Sequence, residues 1–305
     1  MSKNRVVVMM STYNGERYLR EQLESILAQS EPCDIYVRDD GSSDSTLDIL
    51  KEYQEKYESV TYEVGKNIGY NRSFFKMINE ISGYQYYAMS DQDDIWLKDK
   101  IKTALAEIDK LVDEPVLFGC QSQLFSEDEE NMGTTKANVR GYNLYSAMIE
   151  NFFAGHNEVM NQKMLDLQKG NYDISQIYGH DSWIMATAVL RGKTVFLNQV
   201  FTLYRQHSGN ALGYRESRIS WLTQRLKRIF KSGDSKKYGG QIAYFNEYYH
   251  NLLNDEQKKE LDAFVKSQGH FLTRLGYICK TKCYRQSEFE TLAFKMLYLL
   301  GGYHG

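Results

Sequence analysis

Asp91, Asp93 and Asp94 place three carboxylates within four positions, directly after the apolar and aromatic run Tyr86-Tyr87-Ala88-Met89-Ser90 and just before Ile95-Trp96. Clustered carboxylates at the end of a buried strand repel one another and resist desolvation. A divalent cation turns that arrangement favourable, and hard oxygen ligands suit Mg²⁺ or Mn²⁺ with positions left for substrate phosphates. The plain alternative is a solvated acidic loop. Two other polar clusters precede it, Ser11-Thr12-Tyr13-Asn14-Gly15 and Asp39-Asp40-Gly41-Ser42-Ser43-Asp44. By themselves the second cluster's residues are ordinary turn formers that would cap a following helix.

The elements around these clusters alternate. Arg5–Ser11 is a compact β-branched run with the pattern of a buried strand. Arg17–Ala28 carries Tyr18, Leu19, Leu23, Ile26 and Leu27 at helical spacing. Asp34–Arg38 reads as a second strand. Ser45 with Asp48 resembles a capping box and opens a helix through Leu47, Leu50 and Tyr53. Thr61–Val64 is a third strand, Asn67-Ile68-Gly69-Tyr70 a loop, and Phe74 to Ile81 a third helix. Tyr86–Ser90 is the fourth strand. Strands alternating with helices predict an α/β domain with a mostly parallel sheet. Ligands in such sheets bind outside the carboxyl ends of the strands, where all three polar clusters fall. No G-x-G-x-x-G follows the first strand and no P-loop occurs, which speaks against a dinucleotide enzyme or an ordinary ATPase. A metal-dependent nucleotidyltransferase would carry a phosphate loop that Ser11–Gly15 lacks.

The 305 residues suffice for one large domain or two modest ones. Hydrophobic content of 42%, charged content of 25% and a net charge of −3 describe an ordinary globular protein with no feature asking for nucleic acid. Val6–Met10 is too short for a signal peptide, and no stretch is long enough to span a bilayer. Cys33, Cys120, Cys279 and Cys283 show no zinc spacing and read as reduced thiols, which suggests a cytoplasmic protein.

Together, Ser11-Thr12-Tyr13-Asn14-Gly15, Arg38-Asp39-Asp40-Gly41-Ser42-Ser43-Asp44 and Ser90-Asp91-Gln92-Asp93-Asp94-Ile95-Trp96 resemble family 2 glycosyltransferases with a GT-A fold. His180-Asp181-Ser182-Trp183 and Leu203-Tyr204-Arg205-Gln206-His207 extend the resemblance toward rhamnosyltransferases of bacterial cell-wall, capsule or O-antigen synthesis. It covers the first two thirds of the chain well and the remainder loosely. The resemblance implies that Ser11, Thr12, Tyr13, Asn14, Asp39, Asp40, Asn67, Gly69, Asp91 and Gln92 bind the nucleotide sugar. Asp39 or Asp40 would accept the imide N–H of uracil or thymine. Asp93, with Asp91, Asp94 and His207, would hold Mn²⁺ or Mg²⁺, imidazole favouring Mn²⁺. Asp181 would be the general base, with Glu158 and Asp173 as weaker alternatives. Its other reading is an N-cap for the helical run beginning at Ser182. Trp96, Gly155, His156, Asn157, His180, Trp183 and Arg205 would line the donor-sugar or acceptor pocket.

Two departures from the rhamnosyltransferase pattern bear on the donor. Ser182 intervenes where a second aromatic usually follows the His-Asp pair, and Ala154-Gly155-His156-Asn157 replaces a Thr-Gly-x-Thr-like stretch. These departures make nucleotide-sugar transfer a firmer expectation than rhamnose itself: the resemblance favours dTDP-rhamnose, the departures keep a UDP-hexose such as glucose or galactose open, and the expected acceptor is a lipid-linked glycan. From about Gly209 the α/β alternation stops. A catalytic domain over 1–210 and a helical region over 211–305 are expected. Arg215, Arg218, Arg225, Lys227, Arg228, Lys231, Lys236 and Lys237 lie beside Ile219, Leu222, Leu226, Ile229 and Phe230 at helical spacing. Such a basic amphipathic helix suits the inner face of the plasma membrane, or else packs on the protein. Phe245–Leu253, Leu261–Leu275 and Phe289–Leu300 read as helices, and Tyr298-Leu299-Leu300-Gly301-Gly302 offers a membrane-facing or homodimer-forming end. A non-catalytic scaffold of a polysaccharide assembly complex is the alternative from another class; it would not need the carboxylates.

Overall fold

A computed structural model of the protein describes residues 4–207 and 234–304. The basic run from Arg215 to Lys231 lies outside the described residues. Eight strands form one sheet: β1 Val6–Thr12, β2 Cys33–Asp39, β3 Val60–Val64, β4 Tyr86–Ser90, β5 Ile95–Trp96, β6 Val116–Phe125, β7 Val159–Asn161 and β8 Lys193–Arg205. Their order is β3-β2-β1-β4-β7-β6-β8-β5. β1 is parallel to both β2 and β4, β2 to β3, and β6 to β8. β7 runs antiparallel to β4 and β6, and β5 to β8. The four expected strands are thus the parallel half of a mixed sheet.

Local sequence explains this half. β1 is Val-Val-Val-Met-Met, buried on both faces, as a central parallel strand must be. Helix α1 (Leu19–Leu27) turns Leu19, Leu23 and Ile26 inward, and α2 (Thr46–Lys56) turns in Ile49, Leu50 and Tyr53. α3 (Tyr70–Glu80) buries Phe74, Phe75, Met77 and Ile78, and follows Gly69 at φ +81°. The capping box expected at Ser45 does not form. Ser45 makes no side-chain cap; instead the Asp44 carboxylate accepts from the Thr46 backbone N–H at 3.0 Å. α4 (Lys100–Ile108) buries Lys100, Ile101, Ala104, Leu105 and Ile108. The short α5 (Leu144–Ala147) and α6 (Gln162–Gln168) start at Asn143 and Asn161, whose side chains cap them.

The remaining helices are α7 (His180–Arg191), α8 (Asp234–Tyr249), α9 (Asp255–Ser267), α10 (Phe271–Ile278) and α11 (Glu288–Leu299). The expected helix over Leu261–Leu275 is broken in two, with Gly269 at the break and a new N-cap at His270. The helix expected over Phe245–Leu253 is the end of α8 followed by a 3₁₀ turn.

The chain divides into two compact units. One comprises the residues up to Ala137, Phe152–Tyr172 and Thr187–His207; the other comprises Asn138–Asn151, Asp173–Ala186 and the described residues after 233. The C-terminal helices therefore share their unit with two segments that precede the expected boundary at 210. In that unit Trp183 is fully buried against Tyr244, stacked at 5.4 Å, and against Phe245, Tyr248 and Tyr249. Phe264, Tyr277, Phe294, Tyr298 and Tyr303 form a second aromatic core.

Gly119 in β6 lies against Phe153, where an added Cβ would come within 2.3 Å of the ring. The ring is fully buried and cannot swing away. Gly119→Ala is expected to destabilise the protein by about 1–3 kcal/mol, as overpacking does. An unchanged thermal midpoint would show that the strand yields there.

Candidate active site

The loops after β1, β2 and β4 are stitched together at one edge of the sheet. Gln92, after β4, is the centre of the stitching. Its Oε1 accepts from Thr12 Oγ1 at 2.5 Å and from the Tyr13 backbone N–H at 2.9 Å. A Cβ on Gly15 would come within 2.5 Å of the same oxygen, so a larger residue there would displace the Gln92 amide from these bonds. From the β1 loop, Asn14 N–H donates to Ser42 Oγ at 2.9 Å and Gly15 N–H to Thr46 Oγ1 at 2.8 Å. Asn14 Oδ1 accepts from Ser43 N–H at 2.9 Å, with Asn14 in the left-handed region at φ 49°. Ser11 is half-buried, Thr12 buried, and Tyr13 48% exposed beside them.

Asp39 and Asp40, expected at the base, are buried and committed within the protein. Asp39 Oδ1 accepts from the Gly41 and Ser42 N–H groups at 2.9 Å, the turn-holding role. Asp40 pairs with Arg38 and accepts from Ser73 Oγ at 2.9 Å and Gly69 N–H at 2.8 Å. Asn67 Oδ1 accepts from the same Gly69 N–H at 3.1 Å. These carboxylates organise the β2 and α3 loops rather than facing solvent.

Asp91, Asp93 and Asp94 differ sharply in environment. The Asp91 side chain is 44% exposed, that of Asp93 16%, and that of Asp94 fully buried. Burial, then the neighbouring Asp93 and Asp91 charges, push the Asp94 carboxyl well above its usual range. Asp94 Oδ1 accepts from the Arg205 N–H at 3.0 Å, whereas its Oδ2 accepts no hydrogen bond among the described residues. The β5–β8 pairing delivers Arg205 to this place, with Ile95 opposite Leu203. Arg205 Nε donates to the Asp93 carbonyl at 2.9 Å, and its guanidinium pairs with Glu21 while lying over the Tyr18 and Phe125 rings. Arg205 is thus a clamp on the acidic loop and not a pocket-lining residue. His207 Nε2 lies 2.9 Å from Asp93 Oδ2.

From the opposite side comes the 3₁₀ turn Gly155–Asn157, buried throughout. His156 Nδ1 lies 3.8 Å from both Asp91 Oδ2 and Asp94 Oδ2. Ligand-type atoms of Asp91, Asp94 and His156 fall within 4.8 Å of one another. A buried carboxylate oxygen that accepts no hydrogen bond among the described residues, beside two further carboxylates and the His207 imidazole, fits a divalent cation. Beneath the turn sits Lys100, which sequence reasoning missed. Its Nζ donates to the His156 carbonyl at 2.6 Å and to Thr202 Oγ1 at 2.9 Å, and lies 3.6 Å from the centroid of the Trp96 ring. Trp96 is therefore a buried platform for this ammonium rather than a pocket wall. Burial draws the Lys100 ammonium down to about 7 against the raising influence of Cys120, Asp94 and Asp91. One signal was available: Lys100 stands in helical phase with Ala104 and Ile108, on the core-facing side of α4.

In the second unit, Asp181 lies in the first turn of α7, which begins at His180, so it is not the N-cap. Its Oδ2 accepts from Asn151 Nδ2 at 2.6 Å and its Oδ1 from the Ser182 N–H at 2.7 Å. His180 is buried, and burial lowers its basicity. Trp183 belongs to the aromatic core described above, not to a pocket surface. Glu158 is fully buried in the first unit, and Asp173 caps the turn Ile174–Gln176.

A parallel α/β half-sheet whose strand-end loops bear a turn-held Asp-Asp-Gly-Ser and a clamped carboxylate cluster defines a GT-A-like architecture. The family model for glycosyl transferase family 2 matches residues 7–166, which is 160 of the 305 residues, and the chain belongs to this family. The dTDP-rhamnosyl transferase RfbG of Shigella flexneri is 43% identical over 102 residues, 32% of this chain; the match spans only 35% of RfbG's own length. S. aureus TarS 1-349 in complex with UDP-GlcNAc superposes with a TM-score of 0.57 at 15% identity, covering 98% of this chain and 89% of TarS 1-349. The mannosyltransferase PcManGT from Pyrobaculum calidifontis, in complex with GDP-Man and Mn²⁺, gives 0.55 at 17% identity over 99% and 86%. These two likenesses are of fold.

Arg205→Lys keeps the charge but loses the planar fork that spans Asp93 and Glu21. Outer-shell changes of this kind typically weaken metal binding about 10–100-fold. Calorimetric titration with Mn²⁺ is expected to show a loss in that range; wild-type affinity would remove the clamp role.

Proposed function

We propose that the chain is a metal-dependent, inverting glycosyltransferase. It would move a sugar from a nucleoside-diphosphate sugar to a growing bacterial surface polysaccharide or lipid-linked oligosaccharide. The observation that carries this reading is the buried Asp94 Oδ2, which accepts no hydrogen bond among the described residues, in a clamped carboxylate cluster at the sheet edge. Asp93 with His207, and Asp91 with Asp94, are the residues that would hold Mn²⁺ or Mg²⁺. When bound, the cation offsets charge on the departing nucleoside diphosphate. The exposed Tyr13 ring and the Asn14 turn offer the nucleotide a stacking face and polar edges. Asp181 would take the proton from the acceptor hydroxyl as the new C–O bond forms, an effect typically worth ~10²–10⁴ in rate. A single displacement with one base inverts the anomeric centre.

Rhamnose is the favoured sugar because RfbG is a dTDP-rhamnosyl transferase. The Ser182 and Ala154–Asn157 departures keep a UDP-hexose as the alternative donor. The C-terminal helices support a peripheral membrane role: α10 exposes Phe271, Leu272 and Leu275, and α11 exposes Phe289, Leu292 and Met296, with Leu300 exposed just after it. No helix among the described residues is long and apolar enough to cross a membrane. Flotation with phosphatidylglycerol vesicles, lost on Leu272→Ser with Leu292→Ser, is expected; flotation indifferent to both changes would remove this contact.

The direct test is donor hydrolysis by the purified protein with Mn²⁺ or Mg²⁺ across dTDP-rhamnose, UDP-glucose, UDP-galactose and their N-acetyl forms. Release of one nucleoside diphosphate, abolished by EDTA, is expected. No release together with no nucleotide binding would leave a non-catalytic partner. Asp93→Ala is expected to lose metal-dependent nucleotide binding. Asp181→Asn is expected to keep binding and lose transfer, and full activity in that variant would sink the base assignment.

A further inference from the structure

Lys100, Thr202, Asn157, Ser122 and His156 form one buried chain of hydrogen bonds, and its direction is forced at two places. The Cys120 carbonyl can only accept, and Asn157 Nδ2 lies 3.1 Å from it, so the amide nitrogen faces β6. Asn157 Oδ1 therefore faces Thr202 Oγ1 at 2.6 Å and accepts its proton. Thr202, having given its proton away, accepts from Lys100 Nζ. On the other side, Asn157 Nδ2 also donates to Ser122 Oγ at 2.6 Å. Ser122 is fully buried, and the remaining neighbour of its hydroxyl is His156 Nε2 at 2.8 Å. If the imidazole donated to Ser122 instead, the hydroxyl proton would lack a partner among the described residues, a disfavoured state for a buried donor. Ser122 thus donates to Nε2, which carries no proton.

We infer that His156 holds its proton on Nδ1 and presents a donor, not a lone pair, to Asp91 and Asp94. His156 is then a positioning residue for the two carboxylates and not a ligand of the cation they would hold. One further observation agrees: the ring stacks on Tyr204 at 4.5 Å, which sets the plane in which Nε2 faces Ser122. The inference rests on the glycosyltransferase reading only for the purpose of the carboxylates; the tautomer itself follows from the hydrogen bonds.

The test uses the full chain labelled with ¹⁵N-histidine, and long-range ¹H–¹⁵N correlation spectra at pH 7. His156→Asn identifies the signal among the six histidines. Without metal, Nδ1 is expected protonated and Nε2 bare, and saturating Mg²⁺ leaves this unchanged. Ser122→Ala, a small change that spares the fold, is expected to bring in the other tautomer. By the usual outer-shell effect it should also weaken Mn²⁺ binding about tenfold. A bare Nδ1 in the wild type, or loss of its proton on adding Mg²⁺, would overturn the proposal and make His156 a ligand. The correct tautomer with no donor hydrolysis would leave this assignment standing while the functional reading fails.

Discussion

Three carboxylates within four positions cannot be gathered at a sheet edge without counter-charge. Two like charges 4 Å apart repel by about 4 kcal/mol at an effective dielectric of about 20, enough to consume a large share of a domain's net stability. The protein answers from two sides. Arg205 approaches from β8, holding Asp93 by its carbonyl and Asp94 by a backbone N–H. Lys100 lies beneath, with its charge directed at Thr202, the His156 carbonyl and the Trp96 face. Arg205 reaches Asp94 through its backbone N–H and Lys100 directs its hydrogen bonds to other groups, so Asp94 stays buried with its carboxyl raised and its Oδ2 without a hydrogen bond among the described residues. A group designed only for stability would be paired outright; this one retains an oxygen for something else.

The parallel half of the sheet was legible in sequence because β1, β2, β3 and β4 are local apolar runs, each closed by a polar cluster. The convergence of those clusters followed from the fold class and is realised through Gln92, which bonds Thr12 and Tyr13 from another loop. The antiparallel additions β5 and β7 were not legible, since two or three residues carry no periodicity. The part played by β8 was hidden for another reason: Asp94 and Arg205 are 111 residues apart and meet only through strand pairing.

Side-chain roles were less legible than side-chain places. Trp96 and Trp183 have the composition of sugar-stacking residues, yet both are buried, one under an ammonium and one in an aromatic core. Asp39 and Asp40 have the chemistry to read a base, but the tight Gly41 turn at φ +80° and the approach of Gly69 draw both inward. A polar residue near a site is ambiguous between contacting the ligand and holding what contacts it. Sequence spacing does not separate those cases, because both need the same neighbours.

The β6–β8 ladder slips twice in register, around Gln121, where Cys120 lies opposite Leu197, Gln121 opposite Val200 and Ser122 opposite Thr202. Surplus residues in β8 are taken up there, as bulges do. Below the slip the half-buried Val195 and Leu197 pack against the core; above it lie the buried Thr202 and Arg205. The two halves are thus out of phase with each other by construction. Insertions or deletions at Asn198–Gln199, both exposed, could rotate the upper half without repacking the lower one. This gives a lineage a way to re-aim its chemistry by changing length rather than identity, a kind of variation that substitution-by-substitution comparison would overlook.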